Sequence, residues 1–234
     1  ATFSDYRFIT ELEQRFNESD GTSEFLFQYT SGIQDFTLKS DLDYAPNPNH
    51  YVKAGAALIH HRFRPGVNTI EIDDVGEAPI DTTFGNADVR SFEFYSYIED
   101  DWEINERWKV NAGVHFSGLL QSSEDFFSAQ PRITLRWLLN EKHSIKLGYA
   151  TMAQYLHLLT NTGIGLPTDL WLPAVKEAPA QLSQQTSIGW AHTPKPGYDV
   201  SVEGYYKHMS NHIEYKNGAS FFGSNDNWTE KIES

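Results

Sequence analysis

The stretch Phe92–Leu120, FEFYSYIEDDWEINERWKVNAGVHFSGLL, determines which fold the sequence can adopt. Apolar residues occupy alternate positions on both sides of Asn105–Arg107, and most of the residues between them are polar. Because side chains alternate between the two faces of a β-strand, this pattern predicts a β-hairpin with one apolar and one polar face. Each arm has about the 9–11 residues with which a tilted strand crosses a bilayer.

Two features of this hairpin refine the prediction. Trp102 and Trp108 lie on the apolar face beside the turn, where the aromatic girdle of a membrane barrel would contact the interface. Asp100 falls on the same apolar face, and a β-bulge at that position would explain it.

Composition excludes several classes of protein. The chain has 234 residues, no cysteine and a net charge of −14. Without cysteine it has no disulfides or thiolate metal sites, and without clustered cations it is not expected to bind nucleic acid. No apolar run approaches the roughly 18 residues of a spanning helix, which excludes helical membrane proteins but not β-barrels.

Turn lengths favour a membrane barrel over a soluble protein. Short turns are predicted at 45–50, 105–107, 140–143 and 193–197, and long loops at 11–24, 64–91, 120–131, 154–184 and 216–228. Outer-membrane barrels place short turns at the periplasmic end and long loops outside, whereas a soluble β-sandwich or adhesin-type binding module would mix both lengths at both ends. The sequence therefore predicts an all-β, antiparallel, up-and-down transmembrane barrel, with nine strands complete and a tenth begun.

Histidine and carboxylate groups give no metal site. His60 and His61 are neighbours in a predicted strand, so their rings point to opposite faces. His208 and His212 would lie roughly 13 Å apart in a strand. Of Glu99–Asp101, two carboxylates project into a hydrated lumen, where a solvated or structurally paired role is expected. The sequence predicts neither a metal nor a cofactor.

The loop between Gln154 and Gln184 carries the candidate ligand-binding residues. Loops held by a rigid scaffold commonly bind ligands, and Tyr155, His157, Asp169 and Trp171 could stack on and hydrogen-bond a sugar, peptide or chelate. The alternative is that Trp171 and its leucine neighbours only pack the loop against the barrel. No catalytic constellation is found, and the Ser/His pair near the rim that a barrel lipase would require is missing.

Several motifs resemble one family, the TonB-dependent outer-membrane receptors, in the form common in Bacteroidetes-type bacteria. The motifs are DLDYAPNPNHY (41–51), YIEDDW (97–102), WKVNAGVHFS (108–117), PRITL (131–135), KLGYA (146–150), QYLHLLTNTGIGLPTDLWLP (154–173) and SVEGYYKHMSNHIEY (201–215). Together they extend over nearly the whole chain.

The resemblance implies a 22-stranded barrel in the bacterial outer membrane, plugged by an N-terminal domain. Such a receptor imports a siderophore, vitamin, oligosaccharide or peptide with energy from the TonB complex, in contact with membrane lipid and in some cases with a surface lipoprotein. The plug, the TonB-contacting segment and the closing strand are not recognised in this sequence. Residues 1–234 are therefore expected to be a middle piece of a single barrel domain.

Overall fold

The computed structural model describes residues 1–18, 21–74, 78–85, 88–161, 168–216 and 232–233. The strands are β1 (Thr2–Glu18), β2 (Gly21–Asn47), β3 (His50–Asp73), β4 (Ile80–Gly85), β5 (Val89–Glu103), β6 (Trp108–Gln121), β7 (Phe126–Asn140), β8 (His143–Gln154), β9 (Leu156–Asn161), β10 (Thr168–Pro173), β11 (Gln181–Lys195), β12 (Tyr198–Ser210), β13 (Glu214–Tyr215) and β14 (Ile232–Glu233). Within these ranges no helix has the length and apolar character needed to span a membrane.

Ten of the described strands form one antiparallel sheet that curls into about half a barrel. Its order is β1-β2-β3-β5-β6-β7-β8-β11-β12, with β4 paired to the part of β3 farthest from its short turn. A β-sandwich would need a second large sheet packed against the first, but the other described pairs, β9–β10 and β13–β14, have two strands each. The predicted all-β, antiparallel, up-and-down arrangement is confirmed.

The two faces predicted for Phe92–Leu120 are confirmed by the register of β5 and β6. Phe92 lies opposite Leu120, and Ile98 lies opposite Val114, all on the convex face of the sheet. These apolar side chains are exposed, Ile98 by 53%. On the concave face Asp101 faces Asn111 instead. An exposed apolar surface this extensive is unsuited to water and suits contact with lipid.

Aromatic rings mark the end of the sheet that carries the short turns. Trp108 of β6 and Trp137 of β7 stack with ring centroids 5.0 Å apart. The predicted girdle therefore occupies the turn end of the convex face.

The short turn between β11 and β12 contains Gly197 with a φ of 85°, which residues with a side chain rarely adopt.

Asp100 needs no β-bulge, so that explanation was wrong. The pairing of β5 with both β3 and β6 is continuous through Asp100. Its carboxylate instead lies 2.6 Å from Nδ1 of His50, whose ring stacks on Trp102 at 5.4 Å. A carboxylate on the apolar face is accommodated here because a histidine on the neighbouring strand pairs with it.

Four of the predicted long loops are largely strand, including 120–131, of which residues 120–121 belong to β6 and 126–131 to β7. Residues 11–18 and 21–24 belong to β1 and β2, residues 64–73 to β3, and residues 156–161 and 168–173 to β9 and β10. The predicted loop at 216–228 lies almost entirely outside the described residues. Short turns at one end and long extensions at the other are retained. The extensions of β1–β4 continue the pairing of the large sheet, whereas β9 and β10 form a separate two-stranded pair.

Candidate functional site

The β9–β10 hairpin, which joins β8 to β11, forms the candidate site. Leu170 pairs with Leu159 and Leu172 with His157, and all four side chains are buried. The alternate position Leu158 is exposed, so the period-two pattern of the sequence separates a buried from an outer face. The leucines of the buried face pack with Ala178 and Ile213 in a small core that fixes the hairpin.

Tyr155 anchors the start of this hairpin to the sheet. Its hydroxyl donates to the carbonyl oxygen of Ser117 at 3.0 Å and lies 3.0 Å from the Ser117 hydroxyl. Gln130 donates to that serine hydroxyl at 2.6 Å, and the backbone N–H of Ala174 donates to the Tyr155 carbonyl at 2.7 Å. Burial raises the pKa of the Tyr155 hydroxyl, so it acts as a neutral hydrogen-bond donor.

From this anchor the hairpin reaches across the concave face to the other side of the sheet. Strand β10 contacts β1, β2 and β3, although its own neighbours along the chain are at the β8 and β11 side. Trp171 packs edge-on against Tyr6 of β1 with ring centroids 5.9 Å apart. The hairpin thereby covers the concave side of β1–β3 near its loop end, where Tyr29 and Phe63 are buried.

Several polar atoms in this covered region have no partner within the described part of the chain. They are the hydroxyl of Ser31, the Oδ1 atom of Asn68 and the Nε1 atom of Trp171. Buried polar groups are nearly always hydrogen-bonded to protein or to water. The covered region therefore offers donors and acceptors that a polar ligand or water can satisfy.

His157 is held neutral by this environment. Burial lowers the pKa of its ring, and the adjacent backbone groups of Ala178 and Pro179 oppose that change only in part. A neutral imidazole presents one donor and one acceptor. The ring therefore suits recognition of an uncharged hydrogen-bonding group better than recognition of an anion.

A charged cluster lies on the concave face of β2, β3 and β5. Nδ1 of buried His61 lies 2.7 Å from Asp35, and its Nε2 lies 3.4 Å from Glu93. His60 points to the convex face, where its ring packs on Phe92. The prediction that the two histidines face opposite ways is confirmed, but the flanking carboxylates were missed. The sequence showed that Asp35 and Glu93 lie on polar faces of their strands. It did not show the strand register that brings both of them to His61.

The four predicted ligand-binding residues all belong to the β9–β10 region. Tyr155 and His157 are buried, Trp171 lies on the opposite face of the hairpin from His157, and the side chain of Asp169 is outside what the structure describes. Their contact with a ligand stays a prediction. Among the described residues no three His, Asp or Glu side chains group as metal ligands.

Comparison with known protein families shows which family contains this type of sheet. Residues 2–229 match the family model described as TonB dependent receptor-like, beta-barrel. No curated protein matches the chain.

Solved structures of similar fold are known. The siderophore receptor PirA from Acinetobacter baumannii is 15% identical with a TM-score of 0.56, covering 92% of this chain and 36% of that one. PirA from Pseudomonas aeruginosa is 16% identical with a TM-score of 0.56 (94% and 42%). The FrpB iron transporter from Neisseria meningitidis is 9% identical with a TM-score of 0.54 (90% and 38%). The chain thus spans well under half the length of these structures, and at such identities the likeness concerns the fold.

Proposed function

Because the chain belongs to the family of TonB-dependent receptor β-barrels, we propose that it forms part of the wall of a receptor that imports a scarce nutrient with energy delivered through TonB. The family consists of outer-membrane receptors and not of enzymes. The strands therefore lie in the bacterial outer membrane.

The observation that carries this proposal is the division of the sheet into two faces. The convex face exposes a continuous band of apolar side chains, including Leu42, Ile98 and Val202. The concave face carries ion pairs such as Lys39–Asp41 and Lys53–Glu99. A sheet with lipid on one side and a polar interior on the other is the wall of a membrane pore.

We further propose that the nutrient binds next to the β9–β10 hairpin. Buried polar atoms without partners in the described chain, among them those of Ser31 and Asn68, support a ligand that supplies hydrogen bonds. Tyr155, His157, Asp169 and Trp171 are the proposed contacts. Trp171 is the residue to test first, since its ring joins the hairpin to Tyr6 and its Nε1 donor is buried without a partner in the described chain.

We propose that the nutrient is a siderophore, a vitamin, an oligosaccharide or a peptide. Similar solved structures include siderophore receptors and an iron transporter, so a ferric siderophore is the first probe. The remainder of the receptor would supply the rest of the barrel, the plug and the contact with TonB, and a surface lipoprotein is a further proposed partner.

Uptake can be tested in cells that produce the whole receptor. Accumulation of a radiolabelled ferric siderophore, corrinoid, oligosaccharide or peptide is measured with and without a working TonB. We expect one class to accumulate only when both the receptor and TonB are present. Accumulation of no class, or accumulation that is indifferent to TonB, would contradict the proposed transport function.

Binding to the purified whole receptor then tests the site. Trp171→Ala removes the ring beside Tyr6, and we expect at least about a tenfold rise in Kd for the accumulated nutrient, since aromatic contacts at binding sites are often worth more than 1 kcal/mol. Trp190→Ala is the matched control, because Trp190 lies on the convex face beside His143. Equal effects of the two substitutions would place the binding site elsewhere.

A further inference from the structure

Three cations lie side by side on the concave face of β6, β7 and β8, close to the short turns. Lys109 is directly opposite Arg136, and Arg136 is directly opposite Lys146. Their neighbours Trp108 and Trp137 stack on the convex face, which places the three cations on the other side. Like charges directly opposite each other in a sheet are destabilising, so an anion between them would be stabilising.

Compensation of these charges is incomplete within the described residues. Lys109 pairs with Glu103 at 3.2 Å. No described carboxylate lies within ion-pair distance of Arg136 or Lys146, nor of Arg132, which lies on the same face of β7 four residues before Arg136. The chain has 32 Asp and Glu against 18 Lys and Arg, so carboxylates are plentiful. Other described cations such as Arg107 and Lys142 also have no ion pair, so what distinguishes this place is that unpaired Arg136 and Lys146 lie directly opposite each other.

Hydrogen-bonding groups adjoin the cations. Arg132 lies at a shallow cavity of about 280 Å³, whose lining includes Asn111, Thr134, Gln185 and Ser187. Gly148 keeps part of this lining open, because a Cβ there would meet the Ser187 hydroxyl at 2.8 Å. A guanidinium, ammonium groups and neutral amide and hydroxyl donors together suit a carboxylate or a similar oxyanion.

We propose that the concave surface formed by Arg132, Arg136 and Lys146 is a binding site for an oxyanion. The site is remote from the β9–β10 hairpin, which contacts β1, β2 and β3. It does not depend on which nutrient the receptor carries. Arg136 provides the planar fork that holds two carboxylate oxygens, and Lys146 provides a point charge beside it.

The oxyanion has two possible sources with the same chemistry. One is an acidic side chain elsewhere in the same receptor, since the chain spans only 36% and 42% of the length of the two PirA structures. The other is a small polyanionic solute that enters the lumen. Both would place carboxylate oxygens between Arg136 and Lys146.

The test compares melting temperatures of the whole receptor in detergent at low salt. The variant Arg136→Gln with Lys146→Gln removes both charges, whereas Arg136→Lys with Lys146→Arg keeps them. Lys142→Gln removes an exposed charge from the neighbouring turn and is the control for net charge. Each protein is measured with sodium citrate and with sodium chloride of equal ionic strength.

If an internal carboxylate occupies the site, the doubly neutral variant melts about 1–3 °C lower, the exchanged variant and the control do not, and citrate has no specific effect. If a small solute occupies it, citrate raises the melting temperature of the unmodified receptor by a similar amount and leaves the doubly neutral variant unchanged. Both results support the proposal and separate the two sources.

If the proposal is wrong, the melting temperature of the doubly neutral variant does not fall below that of the exchanged variant. If no oxyanion binds, removing two opposed cations relieves repulsion, so the doubly neutral variant melts at the same or a higher temperature and citrate acts no differently from chloride. A fall that is shared by the exchanged variant would show that side-chain packing and not charge is responsible. Either outcome overturns the proposal.

Discussion

The two halves of the concave face differ in whether their cations form ion pairs. In the half formed by β2, β3 and β5, cations have partners: Lys39 lies 3.1 Å from Asp41, and His61 lies between Asp35 and Glu93. In the half formed by β7 and β8, Arg136 and Lys146 face each other with no described carboxylate within ion-pair distance. The same concave face thus has one half whose cations are paired with carboxylates and one half with two opposed cations that are not.

The halves also differ in how they are covered. The β9–β10 hairpin lies over β1–β3 and buries Tyr29, Ser31 and Phe63 there. On β7 and β8, Arg132 and Arg136 are exposed. The covered half is therefore shielded by a segment of this chain, whereas the cations of the open half remain accessible.

The strongest test of the covered half is Leu170→Ala. Leu170 is fully buried in the core of the hairpin, so truncating it should cost about 2–5 kcal/mol of the packing that holds the hairpin down. We expect faster proteolysis within 155–180 in the whole receptor, with the rest of the barrel intact. Leu158→Ala, at an exposed position of the same hairpin, should leave cleavage unchanged. Equal cleavage of both variants would mean that Leu170 does not secure the hairpin.

His61→Leu removes the cation between two carboxylates. Asp35 and Glu93 would then face each other across β3 with no cation between them. We expect a loss of about 2–3 kcal/mol, less than the roughly 3–5 kcal/mol for a fully buried pair, because both carboxylates retain some solvent contact. Thermal unfolding of the whole receptor measures it. The matched control is His60→Leu, since that ring packs on the convex face against Phe92. A neutral effect at His61 would show that the cluster does not stabilise the wall.

The hairpin should loosen in acid because of His157. Its pKa in the folded protein is lowered from 6.5 by burial, so between that value and the lowered pKa the unfolded state binds more protons. Stability is therefore complete above about pH 6.5 and decreases as the pH falls through the folded-state pKa. Hydrogen exchange of residues 156–159 between about pH 7.5 and pH 5 should show this, and His157→Gln should abolish the dependence. Protection that increases toward acid would contradict the assignment.

Lys53→Gln should have the smallest effect. The Lys53–Glu99 pair spans 3.8 Å and is partly exposed, and such pairs contribute at most about 0.5–1 kcal/mol. We expect a melting temperature nearly equal to that of the unmodified receptor. A decrease as large as that of His61→Leu would mean that the paired half acts as one cooperative network.

The sheet could be predicted from the sequence because apolar and polar residues alternate strongly in strands that contact lipid on one face. Phe92 and Ile98 could be assigned to the apolar face because Glu93 and Glu99 follow them on the polar face. The same reasoning failed for residues 11–18 and 64–73, where polar residues outnumber apolar ones and the alternation is weak. It also failed at Asp100, since a cross-strand partner such as His50 is not visible from one strand alone.

The site was less accessible to sequence reasoning than the sheet. Tyr155, His157 and Trp171 were recognised as belonging to one functional segment, but the sequence gives no sign that this segment lies across β1–β3. That position depends on tertiary contacts, such as the one between Trp171 and Tyr6, that join residues far apart in the sequence. The unpaired cations were missed for a similar reason, because each is unremarkable until the strand register places Arg136 opposite Lys146.

The contact between Tyr6 and Trp171 also bears on the order in which the molecule assembles. Nearly every strand pair of the sheet joins neighbours in sequence, whereas this contact closes a loop that contains most of the chain. Closing so long a loop becomes favourable only after the intervening strands have paired. We expect the strands to zip together progressively and the hairpin to dock last, so an assembly intermediate would have a complete sheet with its β1–β3 side still uncovered.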